Sequence, residues 1–184
     1  MKKTKTKILV GVSIIILIII GLATLSGNRS FKEDLKYEIN NTVINQTSET
    51  YYQDIINVGL NILKIKQQVV IIKVTREEKR YDDLIIRGGI ITNGYQYLIQ
   101  LYNPPKNEII DIIAHELIHL QQFKSKDLIE TKDTIFYKGM YFDKTNLPPY
   151  NTRPWEINAF INQKPLQKQI KEIVLEPKSS FNIF

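Results

Sequence analysis

The 184-residue chain contains two histidines, and they stand four residues apart in Ala114-His115-Glu116-Leu117-Ile118-His119-Leu120, an H-E-x-x-H. On a helix, positions i and i+4 share one face a single turn apart. Two imidazoles so placed can grip one Zn²⁺ together. The glutamate that follows the first of them, Glu116, can then take a proton from a water that the metal acidifies. A catalytic zinc needs a third protein ligand and one open position. With no further histidine and no cysteine in the chain, that ligand has to be a carboxylate. The acids downstream are Asp127, Glu130, Asp133, Asp143, Glu156, Glu172 and Glu176, most of them in charged or loop-like surroundings that suit a solvated surface role. Glu156 differs, because it lies between Trp155 and Ile157 near the start of a helical stretch. A carboxylate in apolar company is costly unless paired or metal-bound. The plainer reading of Glu156 is a first-turn glutamate favoured by the helix dipole.

The elements that must present these residues can be read around them. Pro104-Pro105 ends a strand, Asn107 is a plausible N-cap, and a helix is expected from about Glu108 to Lys124. At about 100° per residue, Ile109, Ile112, Ile113, Leu120 and Phe123 share one arc. Glu108, Asp111, Gln121 and Gln122 share the opposite one, which is expected to be wet. The histidines fall on the border, with Glu116 turned inward, as a cleft-lining site requires. Arg153-Pro154-Trp155-Glu156 starts a second helix, with Pro154 suited to its first turn, and Lys164 to Leu175 reads as a separate amphipathic closing helix.

Tyr51 to Gln67 spaces Ile55, Val58, Ile62 and Ile65 at helical intervals, and Val69 to Val74 is a β-branched run that reads as a strand. Arg76 to Arg80 reads as a solvated turn. The runs LIIRGGIIT and YQYLIQLY flank Asn93-Gly94, which predicts a hairpin with a two-residue type I′ turn. Gly88-Gly89 suggests a bulge or a place where another chain approaches the backbone. Thr134 to Phe142 reads as strand, with Lys138-Gly139 as a tight turn.

The segment ahead of this domain is different in kind. Residues 1–7 are basic, and Ile8 to Ser26 is an uncharged run of a length that spans a bilayer core. The lysine excess before it places the N-terminus in the cytoplasm and the remaining chain outside. A cleaved signal peptide, with secretion of the product, is the alternative. Residues 27–50 suit a polar tether or a first peripheral element, and residues 51–184 form the domain. The formal charge of +6 owes four units to Lys2, Lys3, Lys5 and Lys7, so the remainder carries 21 basic against 19 acidic residues, or +2. That balance lacks the basic footprint of a nucleic-acid binder.

With the motif, the Tyr-Lys-Gly-x-Tyr strand and RPWEINAF taken together, the chain resembles the gluzincin group of zinc metallopeptidases. More closely, it resembles a set of small metallopeptidase-like proteins over roughly Leu84 to Phe160. The resemblance implies an α+β, zincin-like domain in which Zn²⁺ is held by His115, His119 and Glu156, with Glu116 as general base. It implies an endopeptidase that holds a peptide or protein in extended form along a strand beside the motif helix, and the run Ile8–Ser26 would tether it to the membrane. The hairpin ending at Tyr102 is the natural candidate for that strand. Gln121 departs from the group's pattern, which has an apolar residue there. The group's customary oxyanion-stabilising Tyr or His cannot be a histidine here, which leaves Tyr150, or Arg153 as a cation, open. The rival expectation is a zinc-containing but non-proteolytic module tethered at the membrane to engage a partner.

Overall fold

A computed structural model describes residues 41–81 and 83–175. The proposed anchor, Ile8–Ser26, and the basic N-terminus lie outside the described residues. Among the described residues no helix is long and apolar enough to cross a membrane. Among the described residues the architecture is α+β, as expected: three α-helices, a four-stranded mixed sheet, a two-stranded hairpin and a three-stranded antiparallel sheet.

The main sheet runs β1 (Asn41–Asn45), β2 (Gln68–Thr75), β6 (Gln96–Tyr102), β5 (Gly88–Thr92). The first three strands are parallel, and β5 is antiparallel to β6 at one edge. Helix α1 (Thr50–Ile62) supplies the crossover that a parallel β1–β2 pair requires. Alternate residues Val70 and Ile72 of β2 and Tyr97, Ile99 and Leu101 of β6 are buried in one core with the inward faces of the helices. Of the two readings of residues 27–50, a polar tether or a first peripheral element, the second fits the end of that stretch. Asn41–Asn45 is a sheet strand, and its polarity disguised it. Asn41 donates to Ile65 O (2.7 Å) and accepts from Gln68 N (3.1 Å), so an amide that reads as linker pins the edge strand instead.

Three further boundaries differ. Arg76–Glu78 are exposed and outside any strand, as expected, but Lys79 and Arg80, also exposed, belong to strand β3 (Lys79–Tyr81), paired with β4 (Leu84–Ile86). The expected single run from Leu84 breaks at Arg87, so that β4 pairs with β3 while β5 pairs with β6. The β5–β6 turn is displaced by one residue from the type I′ expectation. Gly94 has φ of 87°, Asn93 is not left-handed, and Asn93 Oδ1 accepts from both Tyr95 N (3.0 Å) and Gln96 N (2.9 Å). A left-handed pair does occur at Lys138 (φ 48°) and Gly139 (φ 81°), where β8 (Thr134–Tyr137) turns into β9 (Met140–Asp143). Strand β7 (Leu128–Glu130), which the sequence did not suggest, completes that small sheet.

The motif helix is α2 (Ile109–Ser125), entered through a 3₁₀ turn at Lys106–Glu108 rather than by an Asn107 cap. The two helices expected after Arg153 are one, α3 (Pro154–Leu175). Pro165 lies within it and removes a backbone donor at a cost of about 3 kcal/mol relative to Ala. Burial of Trp155, Ala159, Leu166 and Ile170 on both sides of the proline keeps the helix continuous against its neighbours. Side-chain partners show that α3 runs antiparallel to α2. Gln122 meets Asn158, His119 meets Glu156, His115 meets Gln163, and Asp111 meets Gln167 and Lys171.

Candidate metal centre

His115, His119 and Glu156 converge where α2 and α3 lie side by side, and all three are buried. His119 Nε2 is 3.1 Å from His115 Nε2, and Glu156 Oε2 is 3.2 Å from the first histidine's Nε2 and 3.3 Å from the second's. A tetrahedral zinc with bonds of about 2.0–2.1 Å has ligand–ligand edges of about 3.3–3.4 Å. The three atoms therefore form one near-regular face of such a tetrahedron, and the donor set fits a divalent cation. Two imidazole lone pairs and a carboxylate oxygen at this range repel one another unless a proton or a metal stands among them.

The charge behaviour of the cluster follows from that crowding. Burial pulls the His119 imidazole toward its neutral form, but the Glu156 carboxylate, helped by Glu116 and Gln122, outweighs it and pushes its pKa up to about 9. Burial works against the charged form of Glu156 too, yet hydrogen bonds from His115 and His119 hold that carboxyl well below its ordinary range. Glu116 moves the other way, since burial pushes its carboxyl up and the histidines offset only part of the shift. A carboxylate destabilised as an anion beside a cation site is a ready proton acceptor.

Both histidines are oriented from behind. His119 Nδ1 lies 2.8 Å from Gln122 Oε1, and His115 Nδ1 lies 3.1 Å from Gln163 Oε1. The Phe160 ring packs on the His115 ring with centroids 4.7 Å apart. The helical wheel assigned Gln122 to the wet arc; Glu108 and Gln121 on that arc are exposed, but α3 covers Gln122 and buries it. The sequence signal that could have found it is its i+3 spacing from His119, and Gln163 stands two turns beyond Glu156.

Around the cluster the surface is hollow. A cleft of about 420 Å³ is lined by Leu84, Ile85, Ile86, Ile112, His115 and Phe160 among others, and a second of about 170 Å³ by Ile90, His119, Phe123, Trp155 and Glu156 among others. Gly88, Glu116 and Tyr150 border both. Gly88 leaves room for the close approach: a Cβ there would lie 2.6 Å from both Glu116 Oε1 and Ile112 Cγ2, and those side chains would have to shift. The close approach inferred at Gly88-Gly89 is thus made by this chain's own Glu116.

Strand β5 is the edge of its sheet and faces the cleft. Tyr102 N–H donates to Arg87 O (2.9 Å) and Asn93 N–H to Gln96 O (3.4 Å). By antiparallel alternation the odd-numbered residues of β5 bond to β6, and Gly88 and Ile90 direct their N–H and C=O groups to the free edge.

Of the two residues left open as charge stabilisers, Tyr150 borders both hollows, and Arg153 borders neither. Burial and the neighbouring Glu156 raise the Tyr150 phenol above its ordinary value, so it stays a hydrogen-bond donor. Arg153 is spent behind it. Its guanidinium lies 5.1 Å from the Tyr81 ring and 5.4 Å from the Tyr150 ring, and donates to Pro148 O (3.0 Å) and Tyr81 Oη (3.0 Å).

Comparison with protein-family models, curated proteins and solved structures returns no match. The fold and the buried His-His-Glu group, which can hold a metal ion, therefore stand on the chain's own residues.

Proposed function

We propose that the domain is a zincin-like, zinc-dependent endopeptidase of gluzincin type, with His115, His119 and Glu156 as ligands and Glu116 as general base. One observation carries the reading: His115 lines one hollow, His119 and Glu156 line the other, and Glu116 borders both, so the buried ligand cluster adjoins open space beside the general base, as a purely structural site would not. When bound there, Zn²⁺ would acidify a water and polarise a peptide carbonyl. The chain's residues account for the rest. Glu116, adjacent and raised in pKa, accepts the water's proton and returns it to the departing amine. Tyr150 donates to the oxygen on which charge develops. Gly88 and Ile90 pair with an extended peptide, and the larger apolar hollow receives one of its side chains. Ile8–Ser26 would anchor the chain, with the domain outside the cytoplasm.

The test uses full-length protein. Zinc content should be one per chain, and a generic unfolded protein substrate should be cleaved in a chelator-sensitive manner. Glu116→Gln should keep the metal and lose about 10²–10⁴-fold in turnover. Zinc bound with no cleavage of any peptide would favour the non-proteolytic module. Activity retained in Glu116→Gln would end the proposed mechanism.

A further inference from the structure

We infer that Gln122 is the residue that makes a metal site of this pair of helices, by locking the His119 tautomer and setting the position of Glu156 with one amide group. The inference rests on the metal-binding reading above and extends it to a residue outside the ligand set.

The orientation of the Gln122 amide follows from its partners. One end lies 3.0 Å from the backbone carbonyl oxygen of Trp155, an atom that can only accept, so that end must be the NH₂. The same NH₂ donates to Asn158 Oδ1 at 2.9 Å. The other end, 2.8 Å from His119 Nδ1, is therefore Oε1, which can only accept. His119 must carry a hydrogen on Nδ1, so a cation displaces only the proton on Nε2 and binds through the lone pair there. Gln122 is itself buried, so water does not substitute for either partner.

The second half of the argument is positional. Trp155 directly precedes Glu156, so the bond to its carbonyl fixes the first turn of α3 against the last turns of α2. A single side chain thus points one ligand's lone pair and places the backbone that carries another. Gln163, by contrast, meets His115 Nδ1 with its oxygen, and its NH₂ has no partner among the described residues, so nothing forbids that amide from turning over.

Metal ligands usually have such partners, and losing one typically costs about 10–100-fold in affinity. Here the partner is a neutral amide shared with the third ligand's backbone. Full-length Gln122→Met, of similar length but unable to hydrogen-bond, should bind Zn²⁺ and Co²⁺ about 10–100-fold more weakly in chelator competition. It should also lose the slowly exchanging His119 Nδ1–H signal in proton NMR, a spectrum simplified by the presence of only two histidines. Gln122→Glu separates the two roles. It keeps an acceptor for Nδ1–H and loses the donor to Trp155 O, so the signal should persist while affinity falls.

Zinc affinity in folded Gln122→Met within twofold of the parent would overturn the inference, as would a persistent Nδ1–H signal there. If Gln122→Met fails to fold, loss of the Nδ1–H signal in Gln122→Glu would overturn it instead. A parent chain that binds no zinc would defeat the metal reading itself, and the imidazole signal would still decide whether Gln122 locks the ring.

Discussion

Along the seam between α2 and α3, the buried side chains of His115, His119, Gln122 and Glu156 each have a hydrogen-bond partner within the protein. Across the cleft, β4 and β5 offer the opposite surface: backbone groups at Gly88 and Ile90 directed to a free edge, and half-exposed Leu84 and Ile85. One wall is finished and the other is incomplete. A satisfied, buried polar network resists displacement and holds ligand atoms to a fixed geometry. An unpaired edge strand with apolar neighbours waits for a partner. On the proposed function, the contrast gives rigidity to the metal side and recognition to the strand side, and each assignment can be broken separately.

The largest effect should come from the finished wall. Glu156→Ala removes one corner of a three-atom face and leaves His115 and His119 with crowded lone pairs. Metal content by atomic emission should fall to near zero, with hydrolysis lost alongside it. Thermal unfolding of the metal-free variant separates this from collapse, because its secondary structure should persist. A variant that still bound one zinc per chain would remove Glu156 from the ligand set.

The next effect lies where the two walls touch. Gly88→Ala puts a Cβ 2.6 Å from Glu116 Oε1 and from Ile112 Cγ2. Forcing that contact costs about 1–3 kcal/mol, partly in shifted side chains. Turnover should fall about 10–100-fold, as expected when a catalytic group is displaced by about an ångström. Metal content should not change, and the denaturant midpoint should drop modestly. Unaltered turnover would mean that Glu116 can swing away at no cost, contrary to the packing.

How much of this was legible beforehand depends on the reach of each interaction. His115 and His119 were readable as partners because they lie one helical turn apart. Glu156 was readable because an acid between Trp155 and Ile157 conflicts with its neighbours. Gln122 was not, since its burial depends on a helix that begins some thirty residues later, and a wheel drawn for α2 alone cannot contain α3. The strand Asn41–Asn45 was missed for a related reason: its asparagines look like linker until Gln68 N and Ile65 O are placed beside Asn41. Lys79–Tyr81 looked like a charged turn because only its partner, Leu84–Ile86, makes it a strand. Local periodicity finds elements that bury one face on their own. It fails where a polar side chain is satisfied from far along the chain.

A smaller effect sharpens the metal side through pH. The His119 pKa of about 9 lies above its ordinary 6.5 in the metal-free protein. Its contribution to stability is therefore fully present below about pH 6.5 and lost as pH rises through about 9. Metal uptake has the opposite slope, because that proton occupies the lone pair the metal needs. Apparent zinc affinity should strengthen by about tenfold per pH unit from 7 to 9, then level off. Metal-free protein should unfold more easily at pH 9.5 than at pH 6.5, measured by urea titration. An affinity flat across pH 7 to 9 would show that no proton is displaced from the cluster.

The smallest effect belongs to the incomplete wall and tests recognition alone. Ile85 on β4 lines the larger hollow and is 40% exposed, so its side chain has room to meet a bound residue without carrying the core. Replacing it with alanine removes a few methylenes of contact, each worth about 0.8 kcal/mol when fully buried and less at a half-exposed position. For peptides that place a large apolar side chain in this hollow, kcat/KM should fall about 3–10-fold. Peptides with alanine at that position should be cleaved at an unchanged rate. Zinc affinity and the His119 signal should match the parent, since no atom of Ile85 belongs to the α2–α3 seam. An equal loss for both peptides would mean that β4 supports the metal side after all, and that the cleft has one mechanical unit where the structure draws two.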